Sequence, residues 1–413
     1  MQKTVALLGA LDTKGPEYAF VKQCIEARGH KVLTIDAGVL GPPYYPPDVS
    51  RRQVAAAAGA DIDLLVQQRD RGAAMAAMSR GVEKLVPELY AAGRFDGIMA
   101  LGGGGGTSVA CAAMRALPLG VPKVMVSTVA GGDVSGYVGV HDIVMIPAIV
   151  DVAGLNRISR GVFARAASAI CGMVETTVPS GDDRPLVAAT MFGNTTACVE
   201  TAKAVLEQFG YEVLVFHATG TGGRTMENLI AAGMFVGVLD ITTTEWADEL
   251  VGGVLSAGSN RLEAAATAGV PAIIVPGCLD MVNFWAPQTV PARFAGRRFY
   301  QHNPNITLMR TTPEENEQLG RIIAEKINRS TGPVAVLLPL GGLSMIDSPG
   351  GPFWWPEADR ALFESLKSHL RSDIPVIEMQ CNINDAAFAR RCAEVLLELM
   401  GRNAPCPSHA AKS

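Results

Sequence analysis

Four apolar residues, 98–101, run without interruption into five glycines, 102–106, then Thr107 and Ser108 and an alanine-rich stretch to Leu117. The apolar run has the length of a strand, the hydroxyl pair suits a helix start, and 109–117 has helix-forming composition. The pattern predicts a strand, a loop of bare backbone, and a helix with Thr107 or Ser108 as N-cap. Lacking a Cβ, glycine amides reach φ values that other residues avoid and close tightly on a ligand. The following helix adds unpaired N–H groups and roughly half a positive charge at its N-terminus. Gly103, Gly104, Gly105, Gly106 and Thr107 are therefore expected to cradle a phosphate or carboxylate. A flexible linker of the same composition would not sit flush between a buried strand and a helix.

The rest of the chain repeats that grammar. A first strand, 5–8, meets a loop containing Gly9, Asp12, Thr13 and Lys14, and the helix after it buries Phe20, Val21, Cys24 and Ile25. A second strand, 32–35, ends in Asp36, where a βαβ unit often holds a ribose hydroxyl. Neither G-x-G-x-x-G nor G-x-x-x-x-G-K-[ST] is present, so the chain carries neither a standard dinucleotide fingerprint nor a P-loop. Residues 37–60 are proline-rich and read as an irregular excursion. Met75, Met78, Val82, Leu85, Val86 and Leu89 recur at helical spacing as a core stripe, in a helix that Gly81 and Pro87 should bend or interrupt. A further strand, 123–126, leads to a second small-residue loop with Gly131 and Gly132.

Residues 177–184, with Pro179, Gly181 and adjacent charges, mark a boundary, after which the alternation restarts. Strands are expected at 186–189, 213–216, 236–239, 272–275, 306–309, 334–338 and 376–379. Thr312-Pro313-Glu314-Glu315 is a capping box with proline at the first helical position. Strand–helix alternation twice over predicts an α/β protein of two Rossmann-like, doubly wound domains with mostly parallel sheets, 1–180 and 181–400. Residues 401–413 lack periodicity and read as a flexible tail.

Composition narrows the partners. At 413 residues with 48% hydrophobic and 18% charged residues, the chain has material for two cores. A net charge of −5 gives no electrostatic reason for nucleic acid. No apolar run approaches the ~20 residues that span a bilayer. The N-terminus enters a strand directly without a signal-peptide pattern, and eight singly scattered cysteines suit reduced thiols. A cytoplasmic location follows as an expectation. With no CxxC, HxH or HExxH spacing, no dedicated transition-metal site is expected.

In open parallel sheets ligands bind beyond the C-terminal strand ends, where this chain concentrates its polar and glycine residues. In the second half those places hold His217 and Arg224, then Cys278 and Asp280. Asp280 reads as an acid, base or magnesium ligand. Cys278 is a nucleophile only if a cation or helix end lowers its pKa; otherwise it is a buried thiol. His217 and His302 each read as a general base, a carboxylate holder or a structural histidine. An acid, a base, a cation and a thiol on one rim would suit phosphoryl or acyl transfer.

The segments LDTKGPE, LGGGGGTSVA, VSTVAGGDVSGYVG, FHATGTGGRTMENLI and PGCLDMVNFW occur in this order over roughly residues 1–400. Together they resemble the ATP-binding domain family named after the tomato mosaic virus resistance protein. The resemblance implies two Rossmann-like halves, ATP bound in the N-terminal half, and a homodimer. It supplies no reaction. Two functions stay open: an enzyme of small-molecule metabolism using Mg²⁺ and ATP with a second substrate between the domains, or a non-catalytic ATP-binding regulator that engages a protein partner.

Overall fold

β1 (Thr4–Gly9), β2 (Lys31–Asp36), β3 (Gly97–Gly102), β4 (Lys123–Ser127) and β5 (Val144–Pro147) form one sheet in the order β2-β1-β3-β4-β5, every pair parallel. The computed structural model describes residues 2–179, 181 and 183–401, so the tail expected at 401–413 lies, beyond Gly401, outside the described residues. The helices of this half are α1 (Gly15–Glu26), α2 (Arg51–Ala57), α3 (Ile62–Gln68), α4 (Arg71–Ala91), α5 (Gly104–Arg115), α6 (Ser135–Val138) and α7 (Arg157–Glu175).

Period-two alternation in the strands decides which helix packs where. Val5, Leu7, Met99 and Leu101 point to one face and meet Tyr18, Val21 and Ile25 of α1 and Phe163, Ala166 and Ile170 of α7. Ala6, Leu8, Ile98 and Ala100 point to the other, against Val54, Met78, Val82, Val86, Ala110 and Met114 of α2, α4 and α5. Each such fully buried Val, Leu, Ile or Phe contributes roughly 1.5–3 kcal/mol relative to exposure. Because α1 leaves β1 toward one face and α5 leaves β3 toward the other, a crevice opens between the C-terminal ends of these adjacent strands.

Three local expectations need correction. α5 begins at Gly104 with Gly103 as its N-cap, so the glycines form the first helical turn rather than a loop ahead of it. Thr107 is already inside, its hydroxyl donating to Gly103 O at 2.9 Å, and no glycine from 102 to 106 has a positive φ. α4 continues uninterrupted through Gly81 and Pro87; Gly81 serves close packing, since an added Cβ would lie 2.1 Å from Val54 O. The excursion after β2 contains α2, started by a Ser50/Gln53 capping box.

A second compact unit begins at residue 181. Its strands are β6 (Leu186–Met191), β7 (Glu212–His217), β8 (Gly237–Thr242), β9 (Ala272–Gly277), β10 (Met281–Phe284), β11 (Phe299–Asn303), β12 (Ile306–Arg310), β13 (Val334–Pro339) and β14 (Val376–Met379). Six of them make a parallel sheet, β14-β13-β9-β8-β6-β7. The strand expected at 306–309 instead joins a separate antiparallel sheet, β10-β12-β11, inserted between β9 and β13. The helices are α8 (Thr196–Gln208), α9 (Thr221–Ala231), α10 (Glu245–Val251), α11 (Ala264–Ala268), α12 (Pro313–Ile327), α13 (Pro356–His369) and α14 (Ala386–Leu399). α8 and α14 cover one face of the parallel sheet, and α9, α10, α12 and α13 the other. The Thr312 capping box opens α12, with Glu315 N donating to Thr312 Oγ1 at 3.2 Å. Both units are Rossmann-like α/β layers, and no helix among the described residues is long and apolar enough to cross a membrane.

Candidate functional site

The crevice between β1 and β3 deepens into a cavity of about 940 Å³. Gly9, Ala10, Asp12, Thr13 and Lys14 wall it after β1, Ala37 to Leu40 after β2, and Gly105, Gly106, Val109 and Ala110 on α5. Leu65, Val66, Arg69, Asp70, Arg71 and Met75, from the end of α3 and the start of α4, close the remaining side. Apolar side chains and exposed backbone predominate, the usual make-up of a small-molecule site. The first amides of α5 have no intrahelical acceptor, and Gly103 supplies no side-chain cap.

The residues expected from sequence divide here. Gly9, Asp12, Thr13, Lys14, Gly105 and Gly106 line the cavity. Gly103 and Gly104 sit beside it; added Cβ atoms would lie 3.6 Å from Thr128 Oγ1 and from Tyr137 Oη respectively. Thr107 is buried and shares a 2.6 Å hydrogen bond with Ser127 Oγ, tying α5 to the end of β4. Gly131 and Gly132 are exposed in the turn after β4 and do not reach the cavity lining. Asp36 is fully buried: its Oδ1 accepts from Leu11 N (3.1 Å) and Gly38 N (2.9 Å), and Oδ2 has no hydrogen-bond partner. It thereby fixes both loops that wall the cavity, and burial raises its pKa above the ordinary carboxylate value. Asp12 Oδ2 accepts from Leu40 N (2.7 Å) and Gly41 N (3.1 Å), while its Oδ1 is buried and unpartnered. Lys14 Nζ donates to Val152 O.

In the second unit the glycine loop after β7 is filled by the protein itself. Glu245 Oε1 accepts from Gly220 N (2.7 Å) and Gly223 N (3.1 Å), at the N-terminus of α9 where an anion would otherwise bind. Arg261 holds that carboxylate through Nε (2.7 Å) and Asp240 through both terminal nitrogens (2.5 and 2.6 Å). His217 and Arg224 are exposed at the end of β7 and on α9; the His217 ring stacks on Phe192 with centroids 5.4 Å apart. His302 is exposed on β11.

Cys278 and Asp280 follow β9, which β8 and β6 separate from β7 in the sheet, and both are fully buried. Cys278 takes a φ of 58°, and burial, then Asp280 and Asp347, push its thiol well up, the reverse of what a nucleophile requires. Asp280 Oδ2 accepts from Ser344 Oγ at 2.8 Å, and Oδ1 is unpartnered. Arg310 lies alongside, donating to Phe353 O (2.7 Å), Thr311 Oγ1 (2.8 Å) and Asp359 Oδ1 (2.5 Å). Phe192, on which the His217 ring stacks, belongs to the same apolar cluster as Cys278, while Cys278 and Asp280 are buried and His217 and Arg224 are exposed. Among the described residues no group of three or more His, Cys, Asp or Glu is placed to hold a metal ion.

Sequence reasoning passed over Arg69, Arg71 and Arg261. The first two lie in a charged run, Arg69-Asp70-Arg71, between two helical patterns, and only the fold of α3 onto α4 turns that run toward β1 and β3. Met75, read as core, is at the cavity wall.

The model of the N-terminal domain of the uncharacterised protein family UPF0261 matches residues 3–179, and that of its C-terminal domain matches 184–400. A UPF0261 protein of Clostridium tetani is 49% identical over 402 residues, covering 97% of this chain and all of its own length. The ToMV resistance protein Tm-1(GCR237) of Solanum lycopersicum is 41% identical over 353 residues, 83% of this chain and 47% of the tomato protein, so the match spans about half of that relative. Among solved structures, the glycosyltransferase SnogD from Streptomyces nogalater aligns over 97% of this chain and 100% of its own at 12% identity, with a TM-score of 0.19. Matched in both halves, and nearly half identical from end to end to a bacterial member, the chain belongs to the UPF0261 family.

Proposed function

We propose that this chain is a nucleotide-binding protein that holds ATP in the cavity at the β1/β3 crevice. The carrying observation is that cavity of about 940 Å³, bounded at one end by the glycine-built first turn of α5. Gly105 and Gly106 would face the phosphates, and Leu65, Val66, Met75 and Val109 offer an apolar surface for the base. Mg²⁺ fits as an ion carried on the phosphates rather than held in a protein cage, with Asp12 Oδ1 within the wall to accept it directly or through water. The resemblance in the sequence to an ATP-binding family supports the choice of nucleotide and extends the reading to a homodimer.

What the nucleotide does divides into two readings. The first is an enzyme acting by phosphoryl or acyl transfer on a small molecule. The second is a regulator whose bound nucleotide governs a protein partner. The second is favoured by one observation: Cys278, Asp280 and Arg310 are buried, with Asp280 bonded to Ser344 and Arg310 to Phe353 and Asp359, rather than open to a substrate.

Isothermal titration of Mg-ATP into the full chain, wild type and Gly105→Val, tests the site. Val at this position would project beside Met75 Cε and Arg71 Nη2, into the space assigned to phosphate. Saturable binding in the wild type and at least a tenfold loss in a folded variant are expected; equal affinities would remove ATP from this cavity. Gly104, which faces Tyr137, is the less informative position. Mass spectrometry of small molecules retained by the purified protein then separates substrate from effector.

A further inference from the structure

Five charged side chains line the cavity: Asp12, Lys14, Arg69, Asp70 and Arg71. Three are committed to the protein. Asp12 bonds the amides of Leu40 and Gly41, Lys14 bonds Val152 O, and Asp70 caps α4 by accepting from Ala73 N at 3.0 Å. Among the described residues no side-chain hydrogen bond or ion pair engages the guanidinium of Arg69 or Arg71. The cavity therefore presents two uncommitted guanidiniums at one side.

Their placement is specific. Arg69 ends α3 in the left-handed region, φ 53°, a conformation that non-glycine residues adopt at some energetic cost. That reversal lets Arg69 and Arg71, on either side of Asp70, face the same space. Arg71 Nη2 lies 3.6 Å from where a Cβ on Gly105 would be, directly over the first turn of α5. A guanidinium beside the free amides of a helix start matches the oxygens of one phosphate. Arginine is suited to this because its planar fork donates two parallel hydrogen bonds and keeps its charge at any physiological pH.

We propose that Arg69 and Arg71 form a phosphate clamp that sets the specificity of this cavity for polyphosphate over monophosphate ligands, an inference that rests on the nucleotide reading above. Arg71 and the α5 amides grip the phosphate nearest Gly105, and Arg69 reaches the next one out. Affinity then rises with each phosphate, and the clamp contributes nothing to an unphosphorylated nucleoside.

Titration calorimetry on the full chain with ATP, ADP, AMP, adenosine and inorganic tripolyphosphate, each with Mg²⁺, tests this in wild type, Arg71→Ala, Arg69→Ala and Arg71→Lys. The arginines are exposed and unpaired, so the variants should fold, which thermal melting checks. The wild type should rank ATP above ADP above AMP. Arg71→Ala should lose about ten- to a hundredfold for every phosphorylated ligand, as expected when a charge-assisted hydrogen bond is removed, and change little for adenosine, whereas Arg69→Ala should weaken ATP and ADP and spare AMP. Arg71→Lys, which keeps charge but not the fork, should recover only part. If ATP binds the wild type and Arg71→Ala alike, the clamp is wrong and the nucleotide reading survives. If tripolyphosphate binds and is lost in Arg71→Ala while no nucleotide outcompetes it, the clamp stands and the nucleotide reading falls. Binding of neither ATP nor tripolyphosphate to the wild type overturns both.

Discussion

Asp280 illustrates how burial changes what a carboxylate can do. Read along the chain, Asp280 in Pro276-Gly277-Cys278-Leu279-Asp280 sits where a substrate-facing acid belongs. The fold instead encloses it with Ser344, Arg310 and Asp347, all distant in sequence, and no local pattern reveals such an enclosure. Burial, then the neighbouring Asp347, pushes its pKa up from 3.8 to about 7. Across that window the folded protein holds a proton that the unfolded chain has released, so stability falls as pH rises from about 4 to about 7 and levels off above. Asp280→Asn has no such proton to lose and keeps an acceptor for Ser344. Its melting temperature relative to wild type should therefore improve by a few °C, to order of magnitude, between pH 5 and pH 8. A pH-independent difference in scanning fluorimetry would show that Asp280 does not take up the proton.

Two helix starts rich in glycine look alike in sequence and differ entirely in what stands opposite them. At α9 the Glu245 carboxylate occupies the space, and a Cβ on Gly223 would lie 2.2 Å from Glu245 Oε2. Those glycines serve packing against a residue far along the chain, which is why the segment reads misleadingly as a ligand loop. At α5 the first turn opens on the cavity, and a Cβ on Gly106 would meet only Leu101 O, at an ordinary 3.6 Å. The strand and the helix there were legible from apolar length and alanine content. The exact start was not, because an extended glycine caps as well as a hydroxyl residue does. Since glycine inside a helix costs roughly 0.5–1 kcal/mol relative to alanine, Gly106→Ala should raise stability in urea unfolding while weakening ATP in calorimetry. Gly223→Ala should lower stability. An alanine at 106 that leaves ATP affinity untouched would argue that the phosphates lie elsewhere.

At the scale of the molecule, alternation of apolar strands with amphipathic helices exposed the doubly wound plan of both units, because parallel strands buried on both faces read as continuous apolar runs. The antiparallel β10-β12-β11 sheet escaped notice. Its strands are short, and β11 is exposed along its whole length, so periodicity had little to register. Among the described residues each hydrophobic core cluster lies within one unit, residues 5–174 supplying two and residues 186–400 three. Separate cores imply separate cooperativity. Differential scanning calorimetry should resolve two heat-absorption peaks rather than one. Ligand linkage makes the peaks distinguishable: a ligand held by one unit at a hundred times its Kd stabilises that unit by about 2.7 kcal/mol and leaves the other where it was. Mg-ATP should thus move a single peak upward, and the stationary peak would report the half of the protein that the nucleotide does not touch. Both peaks rising together would mean that the nucleotide is felt across the whole chain.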